Sequence, residues 1–397
     1  MQATYSLPLH RLTSILRAFA HTSLLSILII AYTSLYFVNA SEASIQTSSN
    51  QSPTPVIFDT DMAIDDWATV LFLQRHPDIN LLASTISASG ESHCDTGEKN
   101  LLALLDMGAP ESNIPVACGD EWGLDGYFVF PEAWQKDADT LSGVSIPPSK
   151  RSPNQEHAIE LIHQQLILSD VPVVLLATGP MTNIAQWLEK YPEDINKVSR
   201  LVIMGGALTA PGNIIVPGFT DSNPNKRAEW NFYVDPLSAD MVLQSGIPIE
   251  LVGLDITNEV RVTAEFAKEF KAAVNTPSAE FWDAVLDKND WFIDSDEYYF
   301  WDVLAAIVVV DTDTYCQGEL EAVRADYQVT DTPWLESSDM TIPNTRWDGG
   351  ERNHFDAASA GVVEIIDNAK DSQKTVKVCA KTNREKALNL FLTTLTD

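Results

Sequence analysis

From Pro55 onward, short apolar runs alternate with longer stretches in which apolar residues recur at helical spacing. Runs that are apolar at consecutive positions are typical of parallel strands covered on both faces, and each helical stretch can serve as the crossover to the next strand. The pattern therefore predicts an α/β fold with an open, mostly parallel central sheet flanked by helices. The predicted elements are PVIFD then DDWATVLFLQRH, INLLASTISA then GEKNLLALLDMG, NIPVACG, VPVVLLATG then MTNIAQWLEKY, VSRLVIMGG, IPIELVGLD, and a final strand and helix in TVKVCAKTNREKALNLFLTTL.

A different pattern covers residues 120–156, which are rich in Trp, Pro and Ser and show neither helical nor strand periodicity. The sequence predicts a long irregular insertion over one face of the sheet. Loops of this size are usually functional covers or disordered segments, and both interpretations stay open at this point.

The first forty residues also differ from the rest of the chain. Arg11 and Arg17 precede the apolar stretch SLLSILIIAYTSLYFVNA, which ends on the small-x-small triplet Val38-Asn39-Ala40. This arrangement is typical of a cleaved secretory signal peptide, so we expect the protein to be secreted. The alternative is an uncleaved membrane anchor, for which the run is slightly short and interrupted by hydroxyl side chains. The predicted segments are a signal peptide at 1–40, a polar linker at 41–54 and one folded domain at 55–397.

The charge balance narrows the possible partners. The chain of 397 residues has 25 Lys and Arg against 56 Asp and Glu, which gives a net charge of -31. Such a charge repels phosphate backbones and anionic membrane surfaces, so we expect neither a nucleic-acid polymer nor a stable membrane partner. It is compatible with a small neutral substrate and a divalent cation, although acidic residues most often form a solvated surface.

Four cysteines form an even set in a chain that we expect to meet an oxidising compartment. Cys94 follows the second predicted strand and Cys118 the third, so a bridge between neighbouring loops is geometrically feasible. Cys316 and Cys379 fall on two late strands and are the second candidate pair. No CxxC spacing supports metal binding by these cysteines, and buried free thiols are the alternative.

Acidic residues concentrate at the end of the first predicted strand, where VIFDTDMAIDDWATVLFL holds Asp59, Asp61, Asp65 and Asp66. Asp59 and Asp61 share one side of the chain, since strand side chains alternate. Asp65 and Asp66 begin the next helix, where carboxylates cap the first turn and interact favourably with the helix dipole. Capping does not require all four, however. Mutual repulsion among close carboxylates must be offset, and an all-oxygen set favours calcium or magnesium.

The stretch DTDMAIDD resembles the N-terminal motif DxDxGxDD of the nucleoside hydrolases, the inosine-uridine-preferring type. Further motifs of that family follow in the same order along the chain. The resemblance extends from Pro55 to the C-terminal helix and implies an N-glycosidase that hydrolyses ribonucleosides to base and ribose. The matching stretches are ATGPMTNIA at 177–185, VIMGGA at 202–207, AEWNFYVDP at 228–236, and FWDVLAA with its Asp302.

Position by position, the resemblance implies a calcium ion held by the carboxylates of Asp61, Asp66 and Asp302 and by the backbone carbonyl of Thr178. Asp61 would also act as the general base towards a water bound by that ion, and Asp59 would orient the ligands from behind.

The same resemblance implies a set of residues around the ribose. Asp65, Asn213, Glu229 and Asn231 would grip the hydroxyls, with Met204 packed beneath the sugar. Physical chemistry agrees, because cleavage of an N-glycosidic bond passes through an oxocarbenium-like sugar that carboxylates stabilise. Taken one at a time, each of these residues also has a structural interpretation, such as a helix start or a turn.

The chain departs from the family pattern at two positions. Many members carry His before the last metal-binding aspartate, where this chain has Trp301. Trp has no titratable proton to give a departing base, and its indole either stacks on the base or sugar or packs in the core. In the loop after the second strand Glu91 occupies the position of a family Asn, and His93 is either an acid or a local hydrogen-bond partner.

The insertion resembles the family loop that covers the base. Its aromatic residues Trp122, Tyr127, Phe130 and Trp134 either form an apolar lid or anchor a long loop. The departures leave the base preference unpredicted.

Three alternatives to a ribonucleoside hydrolase remain. A hydrolase of another ribosylated small molecule would use the same site. A calcium-dependent nucleoside- or sugar-binding protein without turnover is suggested by Trp301 and Glu91. A haloacid-dehalogenase-like phosphatase also has two aspartates one residue apart, but that chemistry needs Thr or Val where this chain has Ala63. Family members are often dimers or tetramers, so a homo-oligomer is expected, with no contact surface identified.

Overall fold

The apolar runs of the sequence form the strands of an eight-stranded sheet in the computed structural model. The structure describes residues 52–124, 128–331, 354–366 and 374–397. Within these ranges the strands are β1 (Thr54–Thr60), β2 (Ile79–Ile86), β3 (Val116–Cys118), β4 (Val173–Ala177), β5 (Val198–Met204), β6 (Ile249–Val252), β7 (Gln317–Glu321), β8 (Val323–Ala325), β9 (Val363–Ile365) and β10 (Val376–Lys381).

The order of strands in the main sheet is β3-β2-β1-β4-β5-β6-β10-β7. All neighbouring pairs run parallel except β10 and β7, which are antiparallel at one edge. A separate antiparallel pair joins β8 to β9. The chain leaves β1 towards β2 on one side and later returns to β4 on the other, so the order reverses at β1. Ligands of open α/β sheets bind at such a reversal, beyond the carboxyl ends of the strands.

Helices connect these strands as crossovers. Within the described ranges they are α1 (Ile64–Arg75), α2 (Cys94–Gly108), α3 (Glu132–Asp139), α4 (Ala158–Leu168), α5 (Thr182–Lys190), α6 (Trp230–Val234), α7 (Pro236–Leu243), α8 (Leu254–Thr257), α9 (Ala264–Ala273), α10 (Pro277–Lys288), α11 (Asp290–Asp294), α12 (Trp301–Val310), α13 (Thr312–Tyr315) and α14 (Arg384–Thr396), with short 3-10 helices at Leu141–Gly143 and Pro192–Lys197.

Side chains of alternating strand positions enter two separate cores. Val56 and Phe58 of β1 pack with α1, α2, α10, α12 and α14 on one face. Ile57 packs with α4, α5 and α7 on the other face. Because both faces of the central strands are covered, their residues are apolar at consecutive positions, as the sequence pattern predicted. The predicted fold class is confirmed.

The insertion differs from the prediction of an irregular segment. Residues Glu132–Asp139 form α3, and Leu141–Gly143 form a turn of 3-10 helix. A helix this short buries only Gln135 and Ala138 fully, so its sequence shows too few apolar repeats to reveal a helical period. The aromatic Tyr127 lies outside the described residues.

Both candidate cysteine pairs form disulfides. Cys94 at the start of α2 is bonded to Cys118 at the end of β3, with 5.7 Å between their Cα atoms. Cys316 is bonded to Cys379 of β10, with 4.8 Å between their Cα atoms. The predictions of two disulfides are confirmed, and all four cysteines are used.

The predicted signal peptide and most of the predicted linker lie outside the described residues. Among the residues that the structure describes, no helix has the length and apolar character of a membrane span.

Candidate active site and metal centre

The chain turns sharply as it leaves β1 at the reversal point of the sheet. Met62 has a φ of 61°, in the left-handed region that residues with a side chain rarely adopt. Two hydrogen bonds hold this turn: Met62 N–H donates to Thr60 Oγ1 at 2.9 Å, and the Trp67 indole N–H donates to the Met62 carbonyl at 2.7 Å. The turn brings Asp61 and the start of α1 to the same edge of the sheet.

The first turn of α1 presents two buried carboxylates, Asp65 and Asp66. Asp66 accepts the backbone N–H of Ala63 on Oδ2 at 2.8 Å, so it caps its own helix as predicted. Its other oxygen accepts the Thr178 hydroxyl at 2.6 Å. Asp66 therefore links the start of α1 to the end of β4, two parts of the sheet that the sequence separates by more than a hundred residues.

A third buried carboxylate, Asp302, comes from the first turn of α12. Oxygens of Asp65, Asp66 and Asp302 all lie within 4.8 Å of one another. The Asp65 and Asp302 carboxylates repel each other at this separation when both are ionised. Burial and the neighbouring carboxylates raise the pKa of Asp65 to about 7 and that of Asp302 well above its usual value.

Asp61 lies beside this group. Burial followed by the Asp66 charge raises the pKa of Asp61 well above its usual value. The backbone N–H of Glu91 donates to Asp61 Oδ2 at 3.2 Å, and that of Ser92 donates to the Asp61 carbonyl at 3.0 Å. The loop also approaches closely: a Cβ on Gly90 would lie 2.3 Å from Asp61 Oδ2.

The four carboxylates have no basic partner among the residues that the structure describes. Across the described ranges, no salt bridge involves Asp61, Asp65, Asp66 or Asp302. Buried carboxylates at this spacing repel one another unless protons or a cation offset their charge. Because every donor is oxygen, the residues fit a hard divalent cation such as Ca²⁺ or Mg²⁺ rather than a thiolate- or imidazole-preferring metal.

Asp59 lies deeper, within β1. Its Oδ1 accepts the Thr85 hydroxyl at 2.6 Å and the Asn183 amide at 2.8 Å, whereas its buried Oδ2 has no hydrogen-bond partner. Burial raises the pKa of Asp59 to about 7. Its two donors come from β2 and α5, so Asp59 joins β1 to the strand and helix beside the cluster. Its role in orienting metal ligands stays a prediction.

Residues predicted to hold the ribose line the neighbouring strand ends. Asn231 of α6 donates its amide to the carbonyls of Thr178 at 3.0 Å and Met204 at 3.2 Å. Glu229 accepts the backbone N–H groups of Asn231 at 2.9 Å and Gly206 at 2.9 Å, so it caps α6, and burial raises its pKa to about 7. The Thr178 carbonyl that we predict as a metal ligand thus lies against Asn231.

Asn213 is placed in the same region by Trp230. Its side-chain oxygen accepts the Trp230 backbone N–H at 3.2 Å, and its carbonyl accepts the Trp230 indole N–H at 3.1 Å. Trp230 is buried against Phe130, with ring centroids 4.9 Å apart, and Trp134 meets it edge-on at 5.2 Å. Phe130 and Trp134 therefore anchor the insertion beside the predicted ribose residues.

Trp301 begins α12 and immediately precedes Asp302. It is partly buried among Phe292, Tyr298 and Tyr299, whose ring centroids lie 5.6 to 6.0 Å away, and its indole N–H has no hydrogen-bond partner. The aromatic neighbours account for packing on one side of the indole. The other predicted role, stacking on a substrate, stays a prediction.

His93 and Glu91 occupy the loop between β2 and α2. His93 Nδ1 lies 2.8 Å from Asp139 Oδ2 of α3, so the local hydrogen-bond partner is the interpretation that its contacts favour. Burial followed by the charges of Asp65 and Asp66 raises the pKa of Glu91 well above its usual value. The carboxylate at position 91 is therefore part of the same electrostatic cluster.

Sequence reasoning missed several polar residues that organise this edge. Asn183 lies within the ATGPMTNIA motif, but its contact with Asp59 had no local signal. Asp255 accepts the backbone N–H groups of Leu208, Thr209 and Ala210 at 2.7 to 3.0 Å, and so holds the loop that leads to Asn213. Its position at the strand end VGLD was the only hint.

Comparisons with known proteins show the family of the chain. The family model described as inosine-uridine preferring nucleoside hydrolase matches residues 56–389. The chain belongs to that family. Nucleoside hydrolases are metal-dependent enzymes that hydrolyse the N-glycosyl bond of nucleosides, and the chain is a hydrolase of this class.

Among its relatives, the pyrimidine-specific ribonucleoside hydrolase RihA of Citrobacter koseri is 34% identical over 236 residues, which are 59% of this chain and 71% of that protein. The RihA of a Shewanella species is 34% identical over 221 residues, or 56% of this chain and 65% of that protein.

Solved structures of nucleoside hydrolases have the same fold. The purine-preferring ribonucleoside hydrolase of Gardnerella vaginalis has a TM-score of 0.67 at 25% identity, with 86% of this chain and 98% of that chain covered. The plant nucleoside hydrolase PpNRh1 has a TM-score of 0.67 at 24% identity, with 87% and 99% covered. The Gardnerella enzyme is named as purine-preferring and the RihA relatives as pyrimidine-specific, so membership of the nucleoside hydrolase family does not decide the base.

Proposed function

We propose that the protein is a secreted, calcium-dependent hydrolase that cleaves ribonucleosides to a free base and ribose. The observation that carries the proposal is the buried cluster of Asp61, Asp65, Asp66 and Asp302, which has oxygen donors only and no salt-bridge partner among the described residues. Neutral nucleosides suit a strongly acidic protein, whereas nucleotides and nucleic acids do not.

The metal is held by the carboxylates of Asp61, Asp66 and Asp302 and by the Thr178 carbonyl. Calcium is preferred over magnesium because the donors come from three separate elements and vary in type, and Ca²⁺ accepts such irregular oxygen sets. When bound, a divalent cation lowers the pKa of a water molecule next to it.

Asp61 acts as the general base. It takes a proton from the attacking water as the water oxygen forms a bond to the anomeric carbon, and the electron pair of the glycosidic bond leaves with the base nitrogen. Asp65, Asn213, Glu229 and Asn231 orient the ribose hydroxyls. The surrounding carboxylates stabilise the positive charge that develops on the sugar ring in the transition state.

Departure of the base does not depend on position 301, because an indole gives no titratable proton. Trp301 instead offers an aromatic face for the base. This favours nucleosides whose base leaves without strong acid assistance or is protonated by solvent. The base preference, and the choice between nucleosides and other ribosylated small molecules, then depend on how the substrate fits against Trp301.

Secretion is supported by the features of residues 1–40 and by the two disulfides, since disulfides persist in oxidising compartments. A homo-oligomer, either dimer or tetramer, is part of the proposal, and sedimentation of the purified protein measures it.

The test is to express residues 41–397 and follow free ribose from inosine, uridine, adenosine and guanosine, with and without a calcium chelator. Chelator-sensitive release that calcium restores is the expected result, and comparison of the four substrates gives the base preference. If calcium binds and no nucleoside is cleaved, the assignment as a ribonucleoside hydrolase is wrong. A different ribosylated substrate, or binding without turnover, then takes its place.

A further inference from the structure

A buried carboxylate at position 235 lies outside the proposed catalytic residues and has no described basic partner. Asp235 is fully buried at the junction of α6 and α7. Its Oδ2 accepts the Thr182 hydroxyl at 2.7 Å and the Leu124 backbone N–H at 2.9 Å, and its Oδ1 accepts the Ser238 backbone N–H at 3.1 Å. Burying a charge without a cation is costly, so the carboxylate calls for an explanation beyond packing.

The Thr182 hydroxyl continues the chain of contacts towards the metal centre. Thr182 Oγ1 lies 2.7 Å from Ser89 Oγ, and both hydroxyls are buried. A hydroxyl has one proton. Because Thr182 gives its proton to Asp235, the proton between the two hydroxyls must come from Ser89. Ser89 therefore donates to Thr182 and Thr182 donates to Asp235, and the carboxylate at position 235 sets this direction along the path.

Ser89 belongs to the loop that presses against Asp61. The next residue is Gly90, whose backbone leaves no room for a side chain beside the Asp61 carboxylate. The following two backbone N–H groups, of Glu91 and Ser92, donate to Asp61 Oδ2 and to its carbonyl. The loop is also held by the Ser87 hydroxyl, which donates to the Pro180 carbonyl at 2.6 Å, and by the Gln135 amide, which donates to the Gly90 carbonyl at 3.3 Å. Loss of the Ser89 contact would therefore loosen the loop from the start of α5, next to Asp61, without releasing it.

We propose that Asp235 is a positioning residue of the metal centre, which acts through Thr182 and Ser89 to hold the loop Ser87–Ser92 against Asp61. An amide at position 235 cannot replace the carboxylate, because both of its oxygens accept backbone N–H groups and an NH₂ group would face one of these donors. The inference deepens the proposed hydrolase function and rests on it for the catalytic readout only.

Two serines provide a matched pair for the test. Ser89→Ala removes a buried hydroxyl from the path. Ser238→Ala removes a buried hydroxyl on the α7 side of Asp235, which donates to the Asp235 backbone carbonyl at 2.9 Å and also interacts with the Asp235 carboxylate, and it leaves the contact between Ser89 and Thr182 intact. Both variants are made in the chain of residues 41–397, with Asp235→Asn, Thr182→Val and Thr182→Ser as a second series.

Two measurements do not depend on turnover: hydrogen exchange of residues 87–92 by mass spectrometry, and Ca²⁺ affinity by calorimetry. We expect Ser89→Ala, Thr182→Val and Asp235→Asn to exchange faster in this loop and to bind Ca²⁺ about 10- to 100-fold more weakly, as is typical for groups that orient metal ligands. Thr182→Ser and Ser238→Ala should retain the exchange and affinity of the unmodified chain.

Where a nucleoside is cleaved, kcat should fall by a similar factor in Ser89→Ala, Thr182→Val and Asp235→Asn. KM should change by less than about threefold, because these substitutions leave the residues around the ribose unchanged. Equal exchange, metal affinity and kcat in Ser89→Ala and Ser238→Ala would overturn the role of Asp235. If the unmodified chain cleaves no nucleoside, the proposed function fails, and loop exchange still decides this inference. Should Asp235→Asn not fold, the serine pair and the Thr182 variants are sufficient.

Discussion

The two halves of the candidate site use their buried polar groups in opposite ways. In the metal half, carboxylates face one another, with no salt bridge among the described residues. In the sugar half, the carboxylate and amide side chains bond to backbone groups. Glu229 caps α6, and Asn213 is bonded to Trp230. The metal half comprises Asp59, Asp61, Asp65, Asp66, Thr178 and Asp302, and the sugar half Met204, Asn213, Glu229, Asn231 and Trp301.

This difference indicates how each half would interact with its ligand. Close carboxylates leave an excess of negative charge, which a cation and a developing oxocarbenium ion both neutralise. The hydrogen bonds of the sugar half hold its loops in place, and such pre-organisation lowers the entropic cost of binding. Substitutions that remove a charge should therefore impair the metal half most. Substitutions that change the shape of a side chain should impair the sugar half most.

The largest effect is expected for Asp61→Asn. The amide keeps the shape but cannot accept a proton, so kcat for the best nucleoside should fall about 10²- to 10⁴-fold. Steady-state kinetics with saturating Ca²⁺ measures the loss. Asp194→Asn is the control, because Asp194 is equally buried but pairs with His163 and Trp187 on the far side of α5. Equal kinetics for the two variants would contradict the assignment of Asp61.

The next largest effect concerns the disulfides. Replacing Cys94 and Cys118 by Ala opens a loop with a sequence separation of 24 and should lower the free energy of unfolding by about 3.5 kcal/mol. The same change at Cys316 and Cys379, with a separation of 63, should cost about 4.3 kcal/mol.

Only the Cys94–Cys118 disulfide lies next to the loop Ser87–Ser92, which contacts Asp61. Only the removal of this disulfide should therefore also weaken Ca²⁺ binding. Denaturant titration and calorimetry separate the two effects. A loss of Ca²⁺ affinity with the second pair alone would show that the metal half is held by other contacts.

A smaller effect is expected for Trp301→Leu in the sugar half. Loss of a stacking surface should remove about 1–3 kcal/mol of transition-state stabilisation, which lowers kcat/KM roughly 5- to 150-fold. The factor should differ between purine and pyrimidine nucleosides. Trp291→Leu is the control, because Trp291 is 60% exposed and contacts the same aromatic group through Phe292. If Trp301→Leu lowers only the melting temperature, the indole is a packing residue.

The smallest effect is a pH dependence of the loop before Asn213. Partial burial raises the pKa of Asp255, but the N–H groups of Leu208, Thr209 and Ala210 and the Thr209 hydroxyl outweigh burial and leave this pKa below its usual value. A carboxylate whose pKa is lowered by folding stabilises the protein above the pKa of the unfolded chain, about 3.9, and loses that contribution as the pH falls further.

Asp255→Asn should therefore cost on the order of 1 kcal/mol at pH 7, because Asp255 is half-buried, and less at pH 3.5. Denaturant titrations at the two pH values measure the difference. A cost that is equal at both, or larger at pH 3.5, would show that the charge of Asp255 is not what holds the loop.

Local sequence determined the parallel sheet and the start of α1, because both depend on periodicity and capping within a few residues. That Asp302 would join Asp61 and Asp66 was implied by the resemblance to the nucleoside hydrolases, because Asp302 lies at the start of a distant helix and not at a strand end. The cysteine pairs were also predictable, as each pair lies on adjacent elements. In the insertion, by contrast, α3 is too short for its period to be recognised.

Only the tertiary structure decided how the remaining polar groups are satisfied. Glu229 caps a helix and also bonds Gly206, Asp255 collects three backbone N–H groups, and Asp235 joins Thr182 to Leu124. Each of these contacts is made to a backbone group or hydroxyl from a distant part of the chain. Residue type alone does not specify them, because every residue except proline offers the same N–H donor and the fold selects which donors come within 3 Å.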